Sequence, residues 1–234
     1  MQAKPIVLTS NTYKKTKRMY STDFAIQQLD SSMLGAVASF EQQAWPAHMA
    51  ASHQSLKSRF ELRHTMLGAW HNSQLIGLAS WRLGWLDKDN QSLFPKNFTE
   101  FSGAPNSAPF NAAFVYNLGI HPDFRGKTST TQLVHAVLNH AQQQGCQYVI
   151  GDGRCPSYRG SPTEGIPQRL NFKNALDNII LDDKTAELED YLIDPILNFY
   201  YRLLKCEFLW VIPDFIPEDI SSGGHRVIFC KTLS

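Results

Sequence analysis

Cysteine is scarce in this chain and poorly spaced for a metal. Of its 234 residues four are cysteine, Cys146, Cys155, Cys206 and Cys230, and none forms a C-x-x-C pair. That spacing speaks against the common structural zinc sites, and no H-E-x-x-H segment is present to hold a catalytic metal. Excess charge is lacking too: 22 Lys and Arg stand against 21 Asp and Glu, a formal net charge of +1. A chain so balanced exerts no general pull on nucleic acid or on an anionic membrane. No apolar run approaches the roughly 18 residues of a membrane-spanning helix. Near the start the apolar patch is only Ile6 to Leu8, too short for the core of a secretory signal. The expectation is a cytoplasmic protein with reduced thiols, no metal, no nucleic acid and no membrane.

What is present is a core. Apolar residues make up 43% of the chain, the share usual for a globular domain. Residues 1–21 are polar and carry the dense basic run Lys14, Lys15, Lys17 and Arg18; they read as a flexible, solvated arm. Residues 22–234 read as a single domain with an inserted loop and helical segment near 152–192. Phe24, Ile26 and Leu29 predict a short strand, and Asp30 or Ser31 caps a helix through Ala44, which Pro46 ends. Ser52 caps a second helix. Met66–Trp70 and Leu75–Leu86 form a hairpin about the turn His71-Asn72-Ser73-Gln74. Asp87 to Pro109 has no period and reads as a loop over a cleft, with one helical turn at most.

Ala112–Ile120 reads as a strand, and the apolar spacing of Leu133, Ala136, Val137, His140 and Ala141 places a helix over about Thr128–Gln144, closed by Gly145. Tyr148–Gly151 is a strand directly after it. Strand, helix, strand in that order predicts a parallel pair inside a mixed sheet. Helical segments are expected near Arg169–Ile180, Thr185–Leu192 and, with Asp194 before Pro195, through about Leu204. Phe208–Ile212 and Arg226–Leu233 are the last strands.

The chemistry concentrates between the central strand and its helix, at Leu118-Gly119-Ile120-His121-Pro122-Asp123-Phe124-Arg125-Gly126-Lys127-Thr128-Ser129-Thr130. An apolar strand runs into a basic turn and then a helix start. Successive backbone N–H groups there, with the positive end of a helix dipole behind them, suit a pyrophosphate, and Arg125 and Lys127 add charge. Composition alone fits an ordinary surface turn as well.

This segment resembles motif A of the GCN5-related N-acetyltransferases. The family's turn reads Arg/Gln-x-x-Gly-x-Gly/Ala. Arg125 matches, whereas Thr128 and Thr130 stand in place of the glycines. Glu41 to Trp45-Pro46, Arg59 and the hairpin through Leu75-Ile76-Gly77 are similar to the arylalkylamine branch. Phe199-Tyr200 before a strand resembles the family's Phe-Tyr motif, without its following glycine. The resemblance implies an α/β fold with a mixed, mostly antiparallel sheet of about six or seven strands, a central parallel pair and flanking helices. It also implies acetyl-CoA or another acyl-CoA as co-substrate. Leu118, Gly119, Ile120, Arg125, Gly126, Lys127, Thr128, Ser129 and Thr130 would then hold coenzyme A.

By the same resemblance Tyr200 is the general acid toward the departing thiolate, against the plain alternative of a packed core tyrosine. Tyr116, matched to a histidine of the arylalkylamine branch, positions substrate or water. Asn117 and Trp45 line the pocket, although packing explains both as well. His121, His135 and His140 read as surface or half-buried residues, and Cys155 as an inert thiol. The acceptor is a small-molecule amine or an acyl carrier protein, and a homodimer is compatible with either.

A narrower likeness joins Asp194-Pro195-Ile196-Leu197-Asn198-Phe199, Ile212-Pro213-Asp214-Phe215-Ile216-Pro217-Glu218-Asp219, Trp45-Pro46 and Arg154-Cys155-x-x-Tyr158 to the acyltransferase-like loading domains of polyketide synthases. Some of those resemble malonyl-CoA decarboxylases that use a His and a Thr; the matching positions here are Tyr200 and Gly153. Three functions follow as expectations: acyl transfer to an amine, S-acyl transfer or decarboxylation with a carrier protein, and acyl-CoA binding without turnover.

Overall fold

The computed structural model describes residues 24–126, 128–154 and 195–233. The N-terminal arm, Lys127, Cys155, Tyr158, Asp194 and the two helices expected at 169–180 and 185–192 lie outside them. Seven strands form one mixed sheet: β1 (Ala25–Gln28), β2 (Thr65–His71), β3 (Gln74–Gly84), β4 (Ala112–Ile120), β5 (Tyr148–Gly153), β6 (Glu207–Ile212) and β7 (Arg226–Thr232), in the order β1-β2-β3-β4-β5-β7-β6. β4 and β5 run parallel, pairing Ala112 with Tyr148 through Val115 with Gly151. The pairs β1–β2, β2–β3, β5–β7 and β6–β7 are antiparallel. The helices are α1 (Leu34–Ala44), α2 (His53–Glu61), α3 (Phe98–Gly103), α4 (Thr128–Gln143) and the short α5 (Pro195–Asn198).

Local chemistry explains most boundaries. Asp30 accepts the Ser32 N–H and opens a 3-10 turn, Ser31–Met33, which leads into α1. Ser52 accepts the Ser55 N–H at the start of α2. Between β2 and β3, Asn72 and Ser73 both take positive φ, 46° and 65°, the pair of left-handed residues that a tight two-residue hairpin turn requires. Gly145, at φ 87°, closes α4.

By its contacts the chain divides into two compact units, each assembled from separate stretches. One runs through Trp81 and includes Asn117–His140; the other comprises Arg82–Tyr116 and Ala141 onward. In the first, α1 and α2 bury Val37, Phe40, Ala44 and Leu56 with Met66, Leu75 and Leu78 of the hairpin. In the second, Phe94, Phe101, Phe114, Ile150, Phe215 and Ile228 make the main cluster.

The stretch from Asp87 to Pro109 departs from the expected cleft-covering loop. It carries a 3-10 turn, Gln91–Leu93, and α3, and it feeds the core of its unit. Phe101 stacks near Phe94, Phe114 and Phe215 at centroid distances of 5.6, 5.7 and 5.7 Å. The buried Arg82 guanidinium lies 4.5 Å over the Phe114 ring and donates from Nε to the Phe101 carbonyl at 2.7 Å. Asn106 and Asn111 accept the Leu83 and Leu86 N–H groups. The segment's apolar residues are aromatics spaced by tertiary contact, so no helical or strand period marks them.

If Phe101 is core and not cover, Phe101→Ala costs about 3 kcal/mol of stability, as for other fully buried aromatics. Urea denaturation checks this; a loss within about 0.5 kcal/mol, the surface-substitution range, would return the segment to the role of a lid.

Candidate active site

In the first unit, the end of α1 is tied to the end of β4 by side chains. Glu41 lies on the buried stripe Val37, Phe40, Glu41, Ala44 and is 2% exposed. It accepts the Ala51 N–H at 3.0 Å and a hydrogen bond from Asn117 Nδ2. Burial pushes its carboxyl above the ordinary value, while the Ala51 N–H, the Arg59 charge and the Asn117 amide favour its ionised form. His121 Nε2 bonds Gln43 Oε1 at 3.0 Å, and His121 Nδ1 accepts the Asp123 N–H at 3.3 Å. These contacts hold His121 buried, not surface-exposed.

Gly119 near the strand end is closely packed. A Cβ on Gly119 would lie 3.3 Å from Phe40 Cε1, 3.3 Å from Trp45 Nε1 and 3.4 Å from Asn117 Oδ1. Trp45, the half-buried residue that caps α1, therefore stands beside Asn117 and Gly119. Asn117 is 7% exposed, and its Oδ1 has no hydrogen-bond partner among the described residues. Leu118 is half-buried and Ile120 buried.

After the strand, Pro122–Phe124 forms a 3-10 turn and Gly126 takes φ 72°, a left-handed step that favours glycine. α4 then starts at Thr128 and runs 16 residues, so the N–H groups of Thr128, Ser129 and Thr130 sit at the positive end of a long dipole. Arg125 has a second job. Its Nε donates to the Ile120 carbonyl at 3.2 Å and its Nη2 to the Ala44 carbonyl at 2.8 Å. It therefore ties the turn to α1 and β4, whatever charge it also offers an anion.

In the second unit four charged groups join at the end of β5. Arg154 grips Asp219 in a fork, Nε to Oδ2 at 2.9 Å and Nη2 to Oδ1 at 3.0 Å. The wholly buried Arg226 reaches Asp219 Oδ2 at 2.8 Å and Asp152 Oδ2 at 3.3 Å as ion-pair contacts. Burial pushes the Asp152 carboxyl up to about 7 against the pull of Arg226. Burial also opposes ionisation of Asp219, but the bonds from Arg154 and Ser221 and the Arg226 charge hold it well below the usual carboxylate range. Arg154 and Asp219 belong to two of the stretches that carry the loading-domain likeness, and their fork joins those stretches directly.

Tyr200 lies on a π-helical turn, Phe199–Leu203, where the Leu204 N–H bonds the Phe199 carbonyl at 3.3 Å. Such turns recur at functional positions. Its ring stacks on Phe229 at 3.9 Å and 21°. Burial, then the charges of Asp152 and Cys206, raise its phenol above the ordinary value near 10. Phe229 fits there because Gly151 opposite lacks a side chain: a Cβ on Gly151 would lie 2.2 Å from Phe229 Cζ. Tyr116, by contrast, packs in the aromatic core of its unit. Cys146, Cys206 and Cys230 are free and buried, and burial pushes their thiols up to about 11, 12 and 12. His135 is exposed, and His140 is half-buried edge-on to Trp81. Among the described residues no group of three or more His, Cys, Asp or Glu is placed to hold a metal, and no helix is long and apolar enough to cross a membrane.

In the sequence Glu41 stands out only by its resemblance, and Asp152 and Arg226 carry no motif. The available signals are a carboxylate on the apolar stripe of α1, the one charge in the short apolar strand β5 and the arginine that opens β7. Those signals mark burial, but the partners come from distant sequence.

The acetyltransferase (GNAT) family matches residues 31–154, more than half of the chain. No curated protein matches. Among solved structures, the loading GNATL domain of CurA from Lyngbya majuscula is similar over 90% of this chain and 98% of its own, with a TM-score of 0.68 and 15% identity. The GphF GNAT-like decarboxylase in complex with isobutyryl-CoA aligns over 89% and 99%, at 0.66 and 21%. The ribosomal-protein-S18-alanine N-acetyltransferase from Escherichia coli aligns over 90% and 94%, at 0.54 and 12%. At these identities the likeness is one of fold.

Two outcomes test the second unit. Gly151→Ala forces Phe229 aside and lowers stability by about 1–3 kcal/mol; an unchanged denaturation midpoint contradicts the packing. For Asp152, the folded value of about 7 lies above the ordinary carboxylate value of 3.8, so the folded state holds the extra proton. Its contribution is full below about pH 4 and is lost as pH rises through about 7. Stability therefore falls between pH 5 and 8, and Asp152→Asn flattens that fall. Denaturation at the two pH values decides it; an equal fall in both proteins contradicts the assignment.

Proposed function

The chain belongs to the acetyltransferase (GNAT) family, and from that premise we propose that it is an acyl-CoA-dependent acyltransferase moving an acetyl or other short acyl group to an amine. The observation that carries this is the run from β4 through the left-handed Gly126 into the 16-residue α4. A turn of that shape offers consecutive N–H groups to a pyrophosphate without needing the family's later glycines, since the backbone makes the contact. Leu118, Gly119 and Ile120 offer strand backbone to the pantetheine arm. Lys127, which lies outside the described residues, and Thr128, Ser129 and Thr130 are assigned to the same phosphate site.

The amine nitrogen attacks the thioester carbonyl, polarised by a backbone N–H near Leu118 or Gly119. The carbon–sulfur bond then breaks and the leaving thiolate takes a proton. We assign that proton to the Tyr200 hydroxyl; the proton shed by the attacking nitrogen passes to solvent, from which the Tyr200 phenolate is reprotonated. Its raised value keeps it protonated throughout the physiological range, which suits a donor and rules it out as a base at pH 7. Tyr116 is assigned support of the strand from within the core.

A second reading has one observation in its favour. The Arg154–Asp219 fork joins stretches similar to polyketide loading domains, so the acceptor in that case is a carrier-protein thiol. Assays with a phosphopantetheinylated carrier and with amines, run side by side, separate the two.

Tyr200→Phe lowers kcat about 100-fold, the usual weight of a general acid, with KM for the acyl-CoA little changed. Turnover equal to the parent enzyme removes Tyr200 from the mechanism.

A further inference from the structure

The proposed transfer asks Tyr200 for a proton, and the charges near its ring bear on how readily that proton leaves. The two carboxylates at the end of β5 are answered unequally. Asp219 receives the Arg154 fork at 2.9 and 3.0 Å, the Ser221 hydroxyl at 2.6 Å and an Arg226 contact at 2.8 Å. Asp152, its side chain 9% exposed, is met by the same Arg226 at 3.3 Å, with the Arg154 charge and its own backbone N–H acting besides. Arg226 does not serve both well. It is wholly buried, its Nη1 donates to the His225 carbonyl at 2.9 Å, and its Nη2, though close to Asp219, makes no well-aligned hydrogen bond. Of the two carboxylates, Asp152 is the one that keeps a proton near neutrality.

Its charge is felt at Tyr200. Asp152 follows Gly151, whose missing side chain admits Phe229, and the Tyr200 ring stacks on Phe229 at 3.9 Å. Burial comes first in holding the Tyr200 hydroxyl above its ordinary value, then the Asp152 charge, then Cys206. The Cys206 thiol is pushed up to about 12 and stays neutral near pH 7, so Asp152 is the group of the two that changes there. Delivering the proton turns Tyr200 into a phenolate. Beside an ionised Asp152 that is a second buried negative charge; beside a neutral Asp152 it is the first.

We propose that Asp152 is a positioning residue that must be neutral for Tyr200 to deliver its proton, so that turnover declines as the medium passes from weakly acid to weakly alkaline. It acts through the Tyr200 hydroxyl and is assigned no contact with substrate. Arg226 sets the balance by dividing itself between Asp152 and Asp219. The proposal rests on Tyr200 as the acid of the reading above.

Thiol release from saturating acetyl-CoA, with phenethylamine as acceptor, tests it in the parent protein, Asp152→Asn and Tyr200→Phe. Thermal melts confirm that each protein is folded at both pH values used. Asn keeps the shape of the neutral carboxyl and does not ionise. Comparing two proteins at one pH cancels the ionisation of the amine itself. The kcat of the parent relative to Asp152→Asn is expected to fall about tenfold from pH 6 to pH 8, as does the neutral fraction of a group with a value of about 7. The advantage of the parent over Tyr200→Phe falls alike, from about 100-fold to about tenfold, because a phenyl ring has no proton to withhold. A purely structural role would lower Asp152→Asn by one factor at both pH values. A parent to Asp152→Asn ratio that is the same at both overturns the proposal; where that variant does not fold, an unchanged parent to Tyr200→Phe ratio does so. If Tyr200→Phe turns over like the parent at both pH values, the Tyr200 assignment falls and takes this one with it. Should the parent release no thiol at either, the acyl-transfer reading falls as well.

Discussion

The C-terminal turn of α1 and the end of β4 are held together by hydrogen bonds at three levels: Glu41 to Asn117, Gln43 to His121, and the Ala44 carbonyl to Arg125. A strand end that only ran out of the sheet would fray, since its last backbone groups lose their ladder partners. Here one helix fixes the strand end and the turn after it as a unit. The packed Gly119, the buried Asn117 and the left-handed Gly126 all lie along that clamp. Because the clamp includes a carboxylate that burial disfavours, it is a polar arrangement kept at some cost, of the kind found where a site must be held in one geometry.

The second unit solves a different problem with the same means. Asp152 and Asp219 are carboxylates within an apolar cluster, and Arg154 and Arg226 answer them. Arg226 contacts both carboxylates, whereas the fork from Arg154 goes to Asp219, so the proton demand falls on Asp152 and not on Asp219. Close by, a missing side chain at Gly151 admits Phe229, and Phe229 carries the Tyr200 ring. Substituting a buried charge or a glycine in this region is therefore expected to act on Tyr200 without touching it.

Periodic features of the sequence were readable to within a residue or two. The strand over Ala112–Ile120, α4 and its Gly145 stop, the hairpin about Asn72-Ser73 and the caps at Asp30 and Ser52 each follow from local spacing or local hydrogen bonding. The parallel pair followed from element order. Less legible was everything that depends on a distant partner. The aromatics between Asp87 and Pro109 look patternless because they answer to Phe114 and Phe215, not to their own neighbours. Arg125 looked like a phosphate ligand alone, and its bonds to Ala44 and Ile120 add a structural task. Glu41, Asp152 and Arg226 were visible as charges in apolar settings, but a sequence does not say which charge meets which.

The central claim is that backbone N–H groups at the end of β4 and in the turn before α4 receive coenzyme A although Thr128 and Thr130 replace the family's glycines. Amide hydrogen exchange with and without saturating acetyl-CoA reads those groups directly. The account predicts slowed exchange in peptides covering Leu118–Ile120 and Gly126–Thr130. Binding that leaves both segments exchanging as before, with protection elsewhere, would contradict it.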